Sequence, residues 1–132
     1  MEDMEDSTFM KIVSGDIPCH KIYENDTVLA FLDIEPRTDG HTLVIPKIRP
    51  TKFVWDLDND IYDDMMRACK KIALHMCAVS GKKYVHQAIN GLDVPYAHIH
   101  LIPYDTSSEL HGRSASDDEI LKQLAEKLYF DD

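Results

Sequence analysis

The sequence predicts an α+β domain, with a mostly antiparallel five-stranded sheet, a long central helix and a C-terminal helix. Five short runs rich in β-branched and aromatic residues predict the strands. Between the third and fourth runs, apolar residues recur at three- and four-residue steps, as in an amphipathic helix. The length of 132 residues allows one compact core, so residues 1–132 are expected to form a single domain. Flexibility is expected in the acidic N-terminus, residues 1–6, and in a polar loop, residues 105–115.

Before the long helix, the chain predicts a short helix and three strands. Phe9, Ile12 and Val13 share one face of the short helix, and Gly15 provides its end. The first two β-rich runs are so close together that they predict a hairpin. A proline and a glycine mark the loop before the third strand. The short helix and the three strands are predicted at residues 7–14, 20–25, 27–33 and 41–46.

The long helix is predicted over residues 60–80, and two further strands over 82–90 and 96–103. Because only the short link GLDVP separates these two strands, they are expected to be antiparallel neighbours. Ser116 and Glu119 have the spacing of a capping box at the start of the final helix. The apolar residues expected beneath the two helices are Ile61, Met65, Ala68, Cys69, Ile72, Met76 and Val79, and then Ile120, Leu121, Leu124, Ala125 and Leu128.

The composition is that of a soluble globular protein, with 44% hydrophobic and 29% charged residues. The formal net charge is −10, from 14 Lys and Arg against 24 Asp and Glu. Binding of a nucleic acid polymer depends on clustered Lys and Arg, so this charge argues against DNA or RNA as a partner. A small anionic ligand remains compatible where local hydrogen-bond donors outweigh the distant, screened carboxylates.

The cysteines and the hydrophobic runs indicate a cytoplasmic protein. Cys19, Cys69 and Cys77 form no C-x-x-C pair and are odd in number, which favours free thiols in a reducing compartment. No apolar run approaches the length of a membrane span, and the N-terminus MEDMED is acidic where a signal peptide is basic. No membrane partner is expected.

The run YAHIHLIP, residues 96–103, carries two histidines on one face of a predicted strand. Because side chains alternate along a strand, Tyr96, His98 and His100 point to one side, and the apolar residues between them point to the other. Two neighbouring imidazoles suit three roles: metal ligation, nucleophilic catalysis beside a hydrogen-bond donor, or packing with satisfied hydrogen bonds. The H-x-H pattern alone does not choose among these roles.

A metal site needs a third and usually a fourth ligand. No C-x-x-C, H-x-x-x-H or H-x-E pattern accompanies the pair, and metal analysis of the purified protein tests this alternative. The nucleophile role is favoured by three segments that could serve a phosphorylated substrate: FLDI at 31–34, GHT at 40–42 and Asn-Gly at 90–91. The other histidines available as ligands are His41, His86 and His111.

Four blocks of the sequence stand out together: KIVSGDIP (11–18), LAFLDIEP (29–36), GHTLVIPK (40–47) and VPYAHIHLIP (94–103). In this order and at these intervals they resemble the histidine triad (HIT) family of nucleotide hydrolases and transferases. The resemblance runs from about Ser7 to Tyr104 and includes the position of the long helix. The short link at 91–95 is similar to that of a bacterial-type branch of small HIT proteins.

The resemblance implies catalytic roles for three histidines. His98 corresponds to the family's middle histidine, which attacks the α-phosphorus and carries a covalent nucleotidyl intermediate. His100 would donate to a phosphate oxygen and stabilise the charge that develops there. His41 matches an additional active-site histidine beside the phosphate.

The resemblance also implies a set of substrate-binding residues. Asp33 matches an acidic residue that holds the ribose hydroxyls, and Asn90 lies where the family has an asparagine near the phosphate. Without the resemblance, Asp33 could be a turn residue, His41 a surface residue, and the apolar set part of the core. The residues expected to line the base pocket are Phe9, Ile12, Phe31, Ile34 and Leu43.

Tyr96 occupies the place of the first triad histidine. That histidine mainly supports its neighbours in the family, so the change implies a retained but altered catalyst, with the Tyr96 hydroxyl as donor and acceptor at the substrate site. The link at 91–95 also lacks the Gly, Gln and hydroxyl residues with which longer-loop relatives grip the phosphate and assist the leaving group.

Neither structural zinc nor any other cofactor is expected. Zinc-bearing relatives have a C-x-x-C pair near the N-terminus, a histidine after the I-P-K block, and the first triad histidine as fourth ligand. The corresponding positions here are Ser7, Met10, Arg49 and Tyr96. The joint loss of all four is coherent, because a partial tetrahedral site is of little use.

The expected function is hydrolysis or transfer of a nucleoside monophosphate from a small nucleotide conjugate, a purine nucleoside phosphoramidate or a dinucleotide-like molecule, through a nucleotidyl-histidine. The alternative is a catalytically weak nucleotide-binding or regulatory module, for which Tyr96 and the short link are the signs. The resemblance also implies a homodimer, with the long helix and a sheet edge at the interface.

Overall fold

The computed structural model describes residues 4–91, 93–110 and 115–132. Over these residues it has the helices α1 (Thr8–Ser14), α2 (Asn59–Ser80) and α3 (Asp118–Leu128), and the strands β1 (Lys21–Glu24), β2 (Val28–Leu32), β3 (Thr42–Pro46), β4 (Tyr84–Ala88) and β5 (Ile99–Tyr104). The strands form one sheet in the order β1-β2-β3-β5-β4, and every neighbouring pair is antiparallel. The predicted α+β fold is therefore confirmed.

Two hydrophobic clusters occupy the opposite faces of the sheet. α2 covers one face, and α1 covers part of the other through Phe9. Every residue of β2 and β3 is buried, because alternate side chains of these central strands pack into the two clusters. The predicted buried face of α2 is confirmed for Ile61, Met65, Ala68, Cys69, Ile72 and Met76.

Both predicted pairs of antiparallel neighbours are present. In the turn between β1 and β2, the Asn25 side-chain oxygen accepts from the N–H groups of Thr27 at 2.9 Å and Val28 at 2.8 Å. This side chain replaces backbone partners that a tight turn cannot supply. β4 pairs with β5 and forms one edge of the sheet in the described part of the chain.

The predicted start of the final helix is wrong in two details. Asp117 caps α3, since its carboxylate accepts from the Glu119 N–H at 2.8 Å. The Ser116 N–H instead donates to the Ile34 carbonyl at 3.0 Å, which ties this segment to the residues after β2. Ile120 was expected beneath the helix but is 48% exposed.

Some predictions fall outside the described residues. These are the first part of the acidic N-terminus (1–3), Leu92 in the short link, and the part of the polar loop that contains His111 (111–114). The described part of that loop includes a 3-10 turn at Ser107–Leu110. Among the described residues, no helix has the length and apolar character to cross a membrane.

Candidate active site

A cavity of about 870 Å³ lies between α1 and the sheet. Its floor includes Phe31, Leu43 and His100, which the strand register aligns in one row across β2, β3 and β5. The row reaches His98 and His100 at the β5 side, and the lining continues to the residues just before β1 at the other side. Because β1 and β5 are three strand spacings apart, the two sides are separated by about 14 Å.

The cavity collects most of the predicted site residues. The five expected base-pocket residues line it, Phe9, Ile12, Phe31, Ile34 and Leu43, together with Asp33, His98 and His100. His41, Asn90 and Tyr96 are not among its lining residues. The described lining also includes residues that no sequence pattern indicated, among them Cys19, His20, Asp93 and Asp118.

His98 has a defined tautomer. Its Nδ1 lies 2.7 Å from the carbonyl oxygen of Tyr96, and because a carbonyl only accepts, Nδ1 carries the proton. In the neutral ring Nε2 then has a lone pair, which is the form a nucleophile requires. The ring is 3% exposed and packs edge-on against Phe9, with centroids 5.2 Å apart. Both contacts hold the ring at the cavity wall.

A chain of hydrogen bonds sets the tautomers of the other two histidines. The backbone N–H of Arg37 donates to His41 Nδ1 at 3.0 Å, so the proton of the neutral His41 ring lies on Nε2. That atom is 3.0 Å from His100 Nδ1, to which it donates. The proton of His100 therefore lies on its own Nε2, the arrangement needed to donate to a phosphate oxygen.

His41 lies behind His100. It is 1% exposed and lies next to His100 but outside the cavity lining. Its contact with His100 can orient that ring. The resemblance implies a place beside the phosphate, whereas in the structure His100 lies between His41 and the cavity.

Asp33 combines a turn role with a place in the cavity lining. Its Oδ1 accepts from the Glu35 N–H at 2.9 Å, which is the turn contact that the residue type suggests. Its Oδ2 lies 3.6 Å from His41 Nε2. An ionised carboxylate accepts several hydrogen bonds, so these contacts are compatible with acceptance from ribose hydroxyls.

In the described part of the chain, one group of three buried residues could offer metal-ligand atoms within 4.8 Å of one another: Asp33, His41 and His100. A metal on His41 Nε2 would need a lone pair there, but Nδ1 already uses its lone pair to accept from Arg37. Because a neutral imidazole has one unprotonated nitrogen, this group fits a hydrogen-bond relay better than a metal site.

Two positions that correspond to zinc ligands in zinc-bearing relatives have other contacts here. Ser7 Oγ accepts from the Met10 N–H at 3.2 Å and caps α1. Arg49 pairs with Asp58 at 2.6 Å and with Asp60 at 2.5 Å. The absence of structural zinc stays a prediction, which metal analysis of the purified protein tests.

Tyr96 is fully buried beneath the site. Its hydroxyl donates to the Pro46 carbonyl at 2.5 Å, and its ring packs edge-on against Phe9 with centroids 6.2 Å apart. Burial raises the pKa of its phenol to about 12, so the hydroxyl stays protonated and donates. In this position Tyr96 supports Phe9 and the segment that carries His98.

Replacing Tyr96 with phenylalanine is expected to lower the free energy of unfolding by about 1–3 kcal/mol, because a buried acceptor loses its donor. Urea unfolding should show a lower midpoint with an unchanged slope. Because the pKa of Tyr96 is higher in the folded protein, its protonated hydroxyl contributes fully to the free energy of unfolding below pH 10. This contribution is lost between pH 10 and about 12, and only in the wild type. Tyr129→Phe, at an exposed position after α3, is the control. An unchanged midpoint in Tyr96→Phe would contradict the structural role.

A sequence model of the HIT domain matches residues 14–107. The chain belongs to the HIT family. An uncharacterized HIT-like protein of Borreliella burgdorferi is 37% identical over 107 residues, 76% of this chain and 76% of that protein. Adenosine 5'-monophosphoramidase of Schizosaccharomyces pombe is 39% identical over 99 residues, 72% of this chain and 71% of that enzyme.

Solved structures of HIT proteins share the fold over nearly the whole chain. A HIT-like protein of Bartonella henselae, described as involved in cell-cycle regulation, matches with a TM-score of 0.85 at 31% identity. The match covers 97% of each chain. It therefore extends beyond the residues that the domain model matches and includes both terminal helices.

Proposed function

We propose that this HIT protein hydrolyses or transfers a nucleoside monophosphate from a small nucleotide conjugate, with His98 as the nucleophile. The observation that carries this proposal is the hydrogen bond from His98 Nδ1 to the Tyr96 carbonyl, because it leaves the lone pair on Nε2. A phosphoramidate is the favoured substrate type, since a relative is an adenosine 5'-monophosphoramidase. Relatives named for an activity include two adenosine 5'-monophosphoramidases and an adenylylsulfatase, which are hydrolases. The covalent intermediate and the phosphoramidate substrate are proposed here for this chain.

The reaction divides into two displacements at phosphorus. In the first, His98 Nε2 attacks the α-phosphorus, the bond from phosphorus to the leaving nitrogen breaks, and the departing amine takes a proton from water. In the second, water attacks the phosphorus, its proton neutralises the hydroxide left by the first step, the bond to Nε2 breaks, and the nucleoside monophosphate leaves. Each displacement has a lower barrier than a direct attack by water on the substrate, because the positioned imidazole is a better nucleophile than water and a better leaving group than an amine.

The remaining site residues bind and stabilise. His100 donates from Nε2 to a non-bridging phosphate oxygen, and His41 holds His100 in that tautomer. Asp33 accepts from the ribose hydroxyls. The base lies toward β1, on the apolar floor of Phe31 and Leu43, and the length of the cavity suits a purine. No step in this scheme uses a metal or an organic cofactor.

A second candidate function is that of a nucleotide-binding module with weak chemistry. It is favoured by Tyr96, which replaces the first triad histidine and lies in the core. Such a module would bind a nucleoside monophosphate in the same cavity without forming a covalent adduct.

Trapping of the intermediate distinguishes the two functions. The protein is mixed with a purine nucleoside phosphoramidate, quenched in denaturant at alkaline pH and digested for mass spectrometry. A nucleotidyl group on the peptide that contains His98, formed within one turnover, supports the enzyme. Binding of the nucleoside monophosphate without adduct or turnover would contradict the enzyme and favour the module.

We also infer a homodimer that forms in a reducing cytoplasmic compartment. β4 is an edge strand, and Tyr62 on α2 and Tyr84 on β4 are exposed, at 39% and 54%. An edge strand beside exposed aromatic side chains suits pairing with a second copy. The three cysteines are free thiols, as a reducing compartment allows. Sedimentation should give twice the 15.1 kDa chain mass, and a monomer at micromolar concentration would contradict the dimer.

A further inference from the structure

The charge of the cavity lining is unusual for a site that binds a phosphate. Among the described residues that line it, none is Lys or Arg. Four carboxylates are present, those of Asp33, Glu35, Asp93 and Asp118. The phosphate therefore has no Lys or Arg partner among these residues, and additional negative charge on a substrate meets an acidic surface. A monoanionic phosphoramidate suits this surface better than a polyphosphate does.

Asp93 is the carboxylate nearest in sequence to the nucleophile, in the link between β4 and β5. It lines the same cavity as His98 and His100. Its side chain is exposed, so it meets both the cavity and the solvent. Its backbone has φ of 72°, in the left-handed region, where Asp and Asn are better tolerated than most residues.

Packing on both sides positions this part of the link. A Cβ at Gly91 would lie 2.9 Å from the ring of Phe53, so the backbone passes directly over that ring. Phe53 is itself stacked on Trp55, with centroids 4.8 Å apart and an angle of 6°. After Asp93, Val94 packs into the cluster of Phe9 and other side chains on the cavity face of the sheet. The Asp93 backbone therefore lies between two packed positions of the link.

The orientation of the substrate follows from the cavity. In the proposed function the phosphorus lies at His98 and the base extends across β3 and β2 toward β1. An in-line displacement places the leaving group on the side of phosphorus opposite His98 Nε2, and Asp93 lines the same cavity as that phosphorus. A charged substituent on the leaving group would experience the field of the Asp93 carboxylate.

We propose that Asp93 makes the site selective for amine leaving groups that carry a positive charge. This inference rests on the proposed function and names its substrate class: nucleoside phosphoramidates of diamines or basic amino acids. An ammonium group on the leaving amine is attracted by Asp93, and a carboxylate at the same place is repelled. Asp93 is exposed, so screening by solvent limits the effect to about three- to tenfold between cationic and anionic substituents.

Three substrates with the same two-methylene spacer test the proposal. They are phosphoramidates of one purine nucleoside with ethylenediamine, ethanolamine and β-alanine, whose distal groups are cationic, neutral and anionic. For the wild type, kcat/KM should fall in that order, with a ratio of about three- to tenfold between the cationic and the anionic substrate, and added salt should lower this ratio. Asp93→Asn keeps the side-chain shape and tolerates the left-handed backbone, and its ratio should fall below about twofold. We call this ratio the range.

A matched control separates a local effect from the overall charge. Asp26→Asn removes one exposed carboxylate in the turn between β1 and β2, outside the cavity lining, and should keep the wild-type order and range. Equal kcat/KM for the three substrates in the wild type, or an unchanged range in Asp93→Asn, overturns this inference alone. Absence of turnover for all three in the wild type overturns the proposed hydrolase, and this inference with it.

Discussion

Alanine in place of His98 is expected to lower the turnover of a purine nucleoside phosphoramidate by about 10³-fold or more, and to abolish the covalent adduct. In the proposed mechanism Nε2 of this ring attacks phosphorus, and without it water alone must perform a single direct displacement. Nucleotide binding should change little by comparison, because the apolar floor and Asp33 remain. Single-turnover kinetics together with titration of the nucleoside monophosphate measure both quantities.

His86→Ala is the matched control for this substitution. His86 lies on β4 in the same sheet and pairs with Ile102, but it does not line the cavity. Its replacement should leave turnover within about twofold of the wild type. Turnover in His98→Ala that equals the control would disprove the nucleophile assignment, and full activity with an adduct on another residue would identify a different nucleophile.

His100→Ala is expected to lower kcat by about 10²–10³-fold with a smaller effect on KM. One hydrogen-bond donor to the phosphate oxygen is lost, and such donors stabilise the transition state more than the bound substrate. The adduct should still form on His98, only more slowly. Rapid-quench measurement of adduct formation tests this, and a glutamine at the same position, which retains an N–H donor, should recover part of the rate.

The relay makes a further prediction about His41. His41→Ala should also lower kcat, because His100 loses the partner at 3.0 Å that sets its tautomer. When both histidines are replaced, the loss should be close to that of His100→Ala alone, since the two residues act through one donor. Losses that multiply would show that His41 contacts the phosphate independently of His100.

A net charge of −10 is compatible with phosphate binding because the donors are local and the carboxylates are distributed. In the proposed function the phosphate accepts from His100 Nε2–H, and the described lining of the cavity contains no Lys or Arg. The donor and acceptor pattern of an imidazole changes when the ring gains or loses a proton. Here backbone groups set the tautomers of two rings, the Arg37 N–H that of His41 and the Tyr96 carbonyl that of His98. The directions in which these rings donate and accept therefore follow from the fold.

Local patterns in the sequence were sufficient for the order of the elements and for much of the site. Alternation along a strand places His98 and His100 on one face, and the three- and four-residue steps define the buried face of α2. The four blocks that resemble the HIT family identify residues that the cavity brings together. These predictions succeed because backbone geometry and nearest-neighbour hydrogen bonds depend on residues close in the chain.

Tyr96 shows where local patterns are insufficient. Alternation predicts that it faces the substrate beside His98, but β5 begins only at Ile99. The Tyr96 N–H bonds to the Val94 carbonyl, and the Tyr96 hydroxyl reaches Pro46, 50 positions earlier in the chain. The buried carbonyl of another strand determines the direction of this side chain, and no spacing in the sequence encodes that contact.

By itself, the sequence determined the α+β fold, the face that carries the paired histidines and the family to which the chain belongs. The tertiary structure decided that His41 contacts His100, that Tyr96 lies in the core, and that Asp93 and Asp118 border the cavity. The physical reason is the separation along the chain of the groups that interact. Secondary structure depends on neighbours along the chain, whereas tautomers, cavity walls and local charge depend on groups that only the folded chain brings together.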